Sequence, residues 1–470
     1  MSEVDAAQAA AQGRFRRTLG LRASTAINMT QMCGIGPFIT IPIMVATMGG
    51  PQAIVGWIAG ALLAIFDGLV WAELGAAMPG AGGSYLYLRE AFQYRTGKLM
   101  PFVFVWTAML TIPLIMATGI IGLVDYLGYF LPHLGFWSKH LIGIGFTVAV
   151  VVALYRRIES IRMITIVLWL VMLAAVGLTI ASAYSDFHTH LAFTYPGGFG
   201  TGLLGGLGAG LIIAIYDYLG YYTIAEMGDE VKDPGRVIPR SIIFSIVAML
   251  VIYLTLNIGV VGSIPWHQVA KSTSVASAVV THNWSHPAAQ LVTVLIIITA
   301  FASIFAGLLG GSRLPYNAAR DRVFFGVFGR LHPRHDFPHV ALLVMGLVTA
   351  IGSFFNLTTV INLLLATSVL VQSVAQIVAL TVLRRRQPEL RRPYRQWLYP
   401  LPSLLALAGW IYVYESASTT SLIGSGIWIV CGVAAYLLWA RATRSWPFAP
   451  PQIKEAYLDE QRQARSVPAG

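Results

Sequence analysis

Long apolar runs separated by short polar connections dominate the pattern of this chain. A helix of about 20 apolar residues crosses the hydrocarbon core of a membrane. Twelve runs approach or exceed that length, so the pattern predicts twelve transmembrane helices. The predicted spans are residues 25–48, 53–78, 100–129, 137–154, 163–184, 202–227, 242–262, 288–311, 340–355, 357–383, 397–414 and 422–438.

The composition agrees with a membrane protein. Of 470 residues, 56% are hydrophobic and 11% are charged, whereas about 25% of a soluble domain is charged. The net charge of +11 is spread over many connections, which excludes the single basic patch of a nucleic-acid-binding protein. The two cysteines lie in separate predicted spans, so neither a disulfide framework nor a metal cluster is expected.

The positive charges predict the orientation. An even number of spans places both termini on one side, and 29 of the 31 Lys and Arg residues lie on that side. Only Lys139 and Lys271 lie opposite. Because cytoplasmic connections retain positive charge, we expect a multi-pass protein of the plasma (inner) membrane with cytoplasmic termini. The polar start followed by arginines does not resemble a signal peptide.

Two predicted spans are interrupted by residues that disfavour a continuous helix. They are Cys-Gly-Ile-Gly-Pro at 33–37 and Tyr-Asp-Tyr-Leu-Gly at 216–220. An interruption frees backbone N–H and C=O groups, which the bilayer tolerates only where they line a cavity, so each break predicts a ligand site. The alternative is that the glycines only allow close helix packing.

The first interruption favours an anion. Gly34 and Gly36 permit an open backbone, and Pro37 suits the start of a second half-helix. A helix N-terminus carries partial positive charge. The amides of Ile35 and Gly36 are therefore candidates to hold a carboxylate.

Two acids lie inside predicted spans. Burying an acid in a membrane costs about 2.5–3.5 kcal/mol, so it usually has a partner or a function. Asp217 has three functional interpretations: it binds a substrate ammonium, carries a coupling proton, or helps to hold a cation. Its structural alternative is a hydrogen bond to a neighbouring helix. Asp67 lies in an uninterrupted span, and both kinds of role stay open for it.

Other residues near the breaks have more specific predicted roles. Tyr216 and Leu219 flank the second break, so we expect them to face the site. The charged segment that follows suggests an inner gate in which Glu226 meets Arg22 or Arg313. The alternative is an ordinary solvated face at the membrane edge. Ser303 in the eighth span is a candidate hydroxyl for a sodium site.

The order of the spans predicts an inverted repeat. If spans one to five form one unit and spans six to ten another, the odd number makes the second enter the membrane upside down. The fold class is then an all-α integral membrane protein with discontinuous helices 1 and 6 and two additional C-terminal helices. The predicted divisions are a cytoplasmic tail 1–21, repeats 22–184 and 200–383, additional helices 397–441 and a cytoplasmic tail 442–470.

Four stretches resemble the amino acid–polyamine–organocation (APC) transporters. They lie at the first break, at the exit of the second span, after the sixth span and after the eighth span. The stretches are Gly-Ile-Gly-Pro-Phe at 34–38; Ala-Glu-Leu-Gly at 72–75 with Gly-Gly-Ser-Tyr-Leu-Tyr-Leu at 82–88; Glu-Val-Lys-Asp-Pro-Gly-Arg at 230–236 with Pro-Arg at 239–240; and Ser-Arg at 312–313 with Ala-Arg-Asp at 319–321.

The resemblance implies a LeuT-like fold and alternating access to a central site. By position, a substrate carboxylate would meet the amides near Ile35 and Gly36, and its ammonium the carbonyls of Met32, Tyr216 and Leu219. Tyr216 also occupies the position of an aromatic gate. The complete candidate substrate site is Met32, Cys33, Gly34, Ile35, Gly36, Tyr216, Asp217, Leu219 and Gly220.

Two departures from the family pattern bear on the substrate. Pro37 offers no N–H, and Asp217 and Asp67 add negative charge. Both changes favour a cationic amino acid or a polyamine, although a protonated Asp217 leaves neutral amino acids open. In some members of that family a buried lysine in the fifth span takes the place of sodium. The predicted fifth span here, residues 163–184, contains no lysine or arginine, so that cation is absent.

The predicted function is secondary active transport of amino acids or related amines. Proton coupling is preferred, with sodium coupling or exchange as alternatives, and no cofactor is expected. A non-transporting amino acid sensor is the alternative from another class. Enzymatic activity is not expected, because the sequence offers no nucleophile–base pair and no metal-ligand pattern. Oligomeric state is left open.

Overall fold

The structure, a computed structural model, describes residues 17–80, 82–155, 161–196, 201–333 and 337–448. Most of the tails predicted at 1–21 and 442–470 therefore lies outside the described residues. Within these ranges the chain is predominantly helical, and its β pairing is one isolated bridge between Leu19 and Val231.

Twenty α-helices follow one another in the described ranges. They are α1 Leu21–Met32, α2 Gly36–Met48, α3 Ala53–Ala77, α4 Ser84–Thr96, α5 Leu99–Leu127, α6 Phe136–Leu154, α7 Ile161–Ser185, α8 Thr189–Phe193, α9 Thr201–Tyr218, α10 Thr223–Glu226, α11 Pro234–Ser263, α12 Trp266–Lys271, α13 Val275–Asn283, α14 His286–Gly311, α15 Arg313–Arg320, α16 His339–Gly352, α17 Leu357–Ser368, α18 Ala375–Arg386, α19 Leu401–Glu415 and α20 Thr419–Ala442.

Length and hydropathy identify the helices that can cross a membrane. Seven stretches of the described chain qualify alone, and α1 with α2 forms an eighth span bent by 53°. The seven are α3, α5, α6, α11, α14 with α15, α17 through α18, and α20. Shorter apolar helices lie within α7, α9 and α16. The protein is therefore a multi-pass membrane protein.

The helix bounds follow the apolar runs closely where no break intervenes. The span predicted at 53–78 is α3, and that predicted at 137–154 is α6. The differences lie elsewhere. Connections predicted at 80–99 and 263–287 contain α4, α12 and α13, and the span predicted at 357–383 contains a π-helical turn, Val369–Val374.

Helix α3 forms much of the centre of the bundle, because it packs against α9, α11 and α19. Small residues allow the close approach. A Cβ at Gly60 would lie 2.6 Å from that of Ala214 on α9, and one at Gly68 would lie 2.9 Å from Ile242 on α11. The two halves of the first broken span pack on different helices: α1 packs against α11, and α2 packs against α9.

The Leu19–Val231 bridge ties the start of the described chain to the segment after α10. Thr18 N and Leu19 N lie 2.9 and 3.0 Å from the carbonyl oxygen of Glu230, and Lys232 N lies 2.9 Å from that of Leu19. These backbone hydrogen bonds hold the segment before α1 beside the end of the second broken helix.

Candidate functional site

The first interruption leaves backbone donors free. The N–H of Cys33 donates to the carbonyl of Met29 at 2.8 Å, which is the last helical bond of α1. The three amides at 34–36 donate no hydrogen bond to any described residue, and Pro37 has no N–H to donate. The start of α2 therefore presents backbone donors that have no partner among the described residues.

The second interruption separates α9 from the four-residue helix α10. Gly220 lies in this gap with φ +109°, a conformation that favours glycine. A Cβ there would also lie 2.7 Å from the Cβ of Gln31 and 3.3 Å from the nitrogen of Met32. Only glycine fits at position 220, because the second interruption contacts the last turn of α1, next to the first interruption.

Tyr253 on α11 links the two interrupted helices. Its hydroxyl oxygen lies 2.7 Å from the carbonyl oxygen of Met32 and 2.8 Å from that of Asp217. The ring packs against Trp57 and Tyr218, with centroids 5.1 and 5.3 Å away. One hydroxyl proton is thus shared between two carbonyls that the helix breaks have freed.

The Asp217 carboxyl packs against the first turn of α2, beside Gly36 and Thr40. Its Oδ2 accepts a hydrogen bond from Thr40 Oγ1 at 2.5 Å. Its Oδ1 lies so close to Gly36 that a Cβ there would overlap it, and Oδ1 has no hydrogen-bond partner among the residues that the structure describes. Asp217 is 2% exposed, and the ion pairs of the described residues do not include it.

Helices α5 and α14 supply the neighbouring walls. The hydroxyls of Tyr216 and Thr118 are 2.6 Å apart, which fixes the aromatic ring between α9 and α5. Ser303 Oγ would lie 3.2 Å from a Cβ at Gly34 and donates to the carbonyl of Thr299 at 3.0 Å. The hydroxyl predicted for a sodium site therefore adjoins the first break.

Asp67 occupies a separate polar cluster. Its Oδ2 accepts from the Tyr221 hydroxyl at 2.5 Å, and its Oδ1 accepts from the Trp410 indole at 2.9 Å. A small cavity beside it is lined also by Leu219 and, at the π-helical turn, Gln372. Asp67 thus lies near the second break but does not share the position of Asp217.

The predicted gate residues are not paired with one another. Among the described residues, Glu226 forms no ion pair with Arg22 or Arg313. Its carbonyl instead accepts from the N–H of Gly82 at 3.0 Å. Partial burial and the charge of Asp229 raise the pKa of Glu230, and the charge of Arg313 only partly opposes them. The Glu226 gate stays a prediction.

The structure brings together most of the predicted site and adds residues that the sequence did not indicate. The added residues are Gln31, Thr40, Thr118 and Tyr253. Thr118 and Tyr253 lie in apolar spans with no local break, and Gln31 and Thr40 lie in the two halves of the first broken span; none of the four side chains carried a separate signal. Only their spatial neighbours, many of them more than 90 positions away, reveal their place in the site.

Comparison with known proteins identifies the family. The profile described as amino acid permease matches residues 19–444. The branched-chain amino acid permease BcaP of Bacillus subtilis is 24% identical over 452 residues, covering 91% of this chain and 94% of that protein.

Two other similar proteins of Bacillus subtilis are named for different substrates. A methylthioribose transporter is 24% identical over 453 residues, covering 90% of this chain and 94% of that protein. The serine/threonine exchanger SteT is 22% identical over 445 residues, covering 89% and 95%. Since the family profile spans nearly the whole described chain, from the Leu19 bridge to the end of α20, this chain belongs to the amino acid permease family.

Proposed function

We propose that the protein is a secondary active transporter of amino acids or related amines that works by alternating access. The meeting of two interrupted helices carries the proposal: Gly220 lies against Gln31, and Tyr253 reaches a carbonyl of each broken helix. Secondary transporters hold a solute near the midplane with freed backbone groups of this kind. The named relatives support a small-molecule substrate but differ in its identity.

The proposed topology has twelve spans with both termini in the cytoplasm. The first repeat, 22–184, comprises α1 with α2, α3, α5, α6 and α7. The inverted repeat, 200–383, comprises α9 with α10, α11, α14, α16, and α17 with α18; α19 and α20 are the additional helices of 397–441. Five spans per repeat and the strong Lys/Arg bias support this arrangement.

The proposed substrate site lies between the two breaks. The backbone from Met32 to Gly36 and the segment from Tyr216 to Gly220 surround it, and Tyr216 serves as the gate towards α5. Support comes from the unpaired amides at 34–36 and from the hydroxyl contact between Tyr216 and Thr118. An inner gate with Glu226, Arg22 and Arg313 would form in another state of the cycle.

Asp217 is the proposed proton carrier. Its buried carboxyl has one oxygen without a donor and no cationic partner among the described residues. Protonation would neutralise the charge, and the added proton would give the carboxyl a donor. Sodium is the alternative coupling ion, supported by Ser303 beside the interrupted backbone at Gly34. Asp67 is proposed as a second acid that compensates charge near the second break.

Uptake into proteoliposomes tests the function. We expect labelled amino acids or amines to accumulate under a pH gradient that is acidic outside, and a protonophore to abolish accumulation. Asp217→Asn should remove the dependence on the gradient. Asp125→Asn is the matched control, because Asp125 is also an acid of a membrane-spanning helix but is paired with Lys139 at 3.3 Å near the end of α5.

Other outcomes would redirect the proposal. Accumulation driven by a sodium gradient alone would identify sodium, and not the proton, as the coupling ion. Flux only into substrate-loaded vesicles would indicate exchange. Binding without flux in any gradient would favour the sensor. Absence of both binding and flux for amino acids and amines alike would refute the transporter.

A further inference from the structure

Asp67 is a buried acid whose charge no described side chain neutralises. The residue is 2% exposed, and the ion pairs of the described residues do not include it. Its two hydrogen-bond partners, the Tyr221 hydroxyl and the Trp410 indole, are neutral groups. Both donate to the carboxyl, as an ionised carboxylate requires. They solvate the negative charge without cancelling it, and a charge of this kind is costly inside a membrane.

A cavity adjoins this carboxylate and lies between four elements. Helix α3 supplies Asp67, the second break supplies Leu219 and Tyr221, and α19 supplies Trp410. The fourth wall is the end of α17 with the π-helical turn, which contributes the polar side chains of Ser368, Gln372 and Ser373. The cavity measures about 10 Å³, close to the volume of one water-sized sphere. It has room for one small particle beside a negative charge.

Residues that line the cavity carry oxygen atoms with free lone pairs. The carbonyls of Leu219 and Tyr221 accept no backbone N–H from the described residues, because the helix is interrupted there. Ser368 Oγ donates its proton to the carbonyl of Leu364 at 2.7 Å, and this leaves its lone pairs free. Carboxylate, carbonyl and hydroxyl oxygens are the ligands that hard cations prefer. The wall of the cavity therefore has the composition of a cation site.

Charge and volume select a monovalent cation. A single positive charge neutralises the carboxylate of Asp67, whereas a divalent ion would leave a net positive charge inside the membrane. Mg²⁺ also retains several of its water ligands, and a cavity of this size has no room for them. A sodium ion without its hydration shell meets both conditions.

We propose that Asp67 holds a small monovalent cation, with sodium as the expected ion, in the cavity between the second break and the π-helical turn. The cation ties the interrupted segment 219–222 to α3 and α17, and Asp67 compensates its charge. The site is separate from the possible sodium site at the first break, because the described residues that line the cavity include neither Ser303 nor Asp217. The proposal concerns the folded protein and does not depend on transport.

Sodium binding by the purified wild-type protein is the direct test. Radioactive sodium should bind saturably in a scintillation proximity assay, at an ionic strength held constant with choline chloride, because choline is too large for the cavity. Sodium chloride should also raise the melting temperature above that in choline chloride at the same ionic strength. If sodium neither binds nor stabilises the protein, the cavity holds at most a water molecule and the proposal is wrong.

Single substitutions locate the ion. Asp67→Asn keeps the shape of the side chain and removes its charge, so sodium affinity should fall at least 10-fold. Asp125→Asn is the matched control, since Asp125 already has Lys139 as its cation at 3.3 Å, and it should bind sodium like the wild type. Loss of sodium binding in Ser303→Ala but not in Asp67→Asn would place the ion at the first break and overturn the proposal.

A milder double variant keeps the test decisive if Asp67→Asn does not fold. Ser368→Ala with Ser373→Ala removes two hydroxyls from the cavity wall, so sodium affinity should fall at least 3-fold. Ser421→Ala with Ser425→Ala is its control, because both serines are buried on α20 and do not belong to the described lining of the cavity. Equal sodium affinities in the two double variants would refute the assigned location. Size-exclusion profiles restrict the comparison to folded protein.

Discussion

Gly36 and Asp217 are in contact, although 181 positions separate them in the chain: the Asp217 carboxyl fills the space that a side chain at position 36 would need. The contact places the acid of the second break at the start of the helix that follows the first. It also makes the glycine a steric requirement in addition to a conformational one.

Gly36→Ala is predicted to destabilise the protein by about 1–3 kcal/mol, the usual range for overpacking a dense core. Ligand-induced stabilisation should be lost as well. Gly34→Ala is the matched control, since its Cβ would meet Ser303 Oγ at 3.2 Å, a hydroxyl that can rotate, and Ser303 Cβ at 3.7 Å, an ordinary contact distance. Thermal unfolding in detergent measures both. Similar melting temperatures for the two variants would count against the contact.

Tyr253→Phe is predicted to impair transport more than it alters packing. The ring would keep its contacts with Trp57 and Tyr218, while the carbonyls of Met32 and Asp217 would lose their shared donor. Leaving a buried group unsatisfied costs about 1–3 kcal/mol. We expect a lower melting temperature and slower uptake in proteoliposomes.

Tyr218→Phe is the control for that experiment. The Tyr218 hydroxyl lies 3.4 Å from the carbonyl of Trp57, which is a weak hydrogen bond. A deficit in Tyr218→Phe as large as that in Tyr253→Phe would show that loss of an aromatic hydroxyl, and not the link between the broken helices, causes the defect.

Asp67→Asn is predicted to reduce stability while leaving the pH dependence of uptake unchanged. The Asp67 carboxylate receives donors from Tyr221 and Trp410, so it already has the partners that a buried charge needs. Hydrogen bonds to charged groups contribute about 1.5–3 kcal/mol. Uptake measured from pH 5 to 8 checks this, and a shifted pH profile would assign Asp67 to coupling instead.

Arg384→Lys is predicted to destabilise the end of α3 and its contact with α18. Arg384 binds Glu73 through two nitrogens, at 2.8 and 2.5 Å, and stacks over the ring of Tyr399 at 3.8 Å. Lysine cannot reproduce this planar pair. Glu73 is buried, with 1% of its side chain exposed, and weakening such a pair costs up to about 3–5 kcal/mol.

The neighbouring Arg385, which is exposed, provides the comparison for Arg384. Arg385→Lys should change the melting temperature by no more than the scatter between preparations. If Arg384→Lys is equally harmless, the remaining partners of Glu73, the amide of Gln396 at 2.7 Å and Arg392 at 3.6 Å, are sufficient.

The sequence predicts the apolar helices well, because lipid leaves a helix no alternative for its backbone hydrogen bonds. It predicts amphipathic helices poorly. Helix α4, Ser84–Thr96, carries charged and polar residues and was expected as part of a connection. The π-helical turn Val369–Val374 gave no sequence signal either, since its residues resemble the rest of the span.

Within the candidate site, the sequence located the breaks but not their partners. Glycine and proline act locally, so residues 33–37 and Gly220 could be recognised from the chain alone. For Asp217 the sequence left three functional roles and one structural role open, and its position beside Thr40 depends on how α9 packs against α2. A through-space relationship of that kind has no local pattern.

In the transport cycle proposed above, the Leu19–Val231 bridge would limit how this end of the molecule opens. If the segment before α1 parts from the end of the second broken helix during transport, its three backbone hydrogen bonds break and re-form in each turnover. Each contributes about 0.5–1.5 kcal/mol net, which would favour the bridged arrangement without making it permanent. Because main-chain atoms form these hydrogen bonds, replacing side chains at these positions leaves them in place. Deleting residues of the segment is the direct way to remove them.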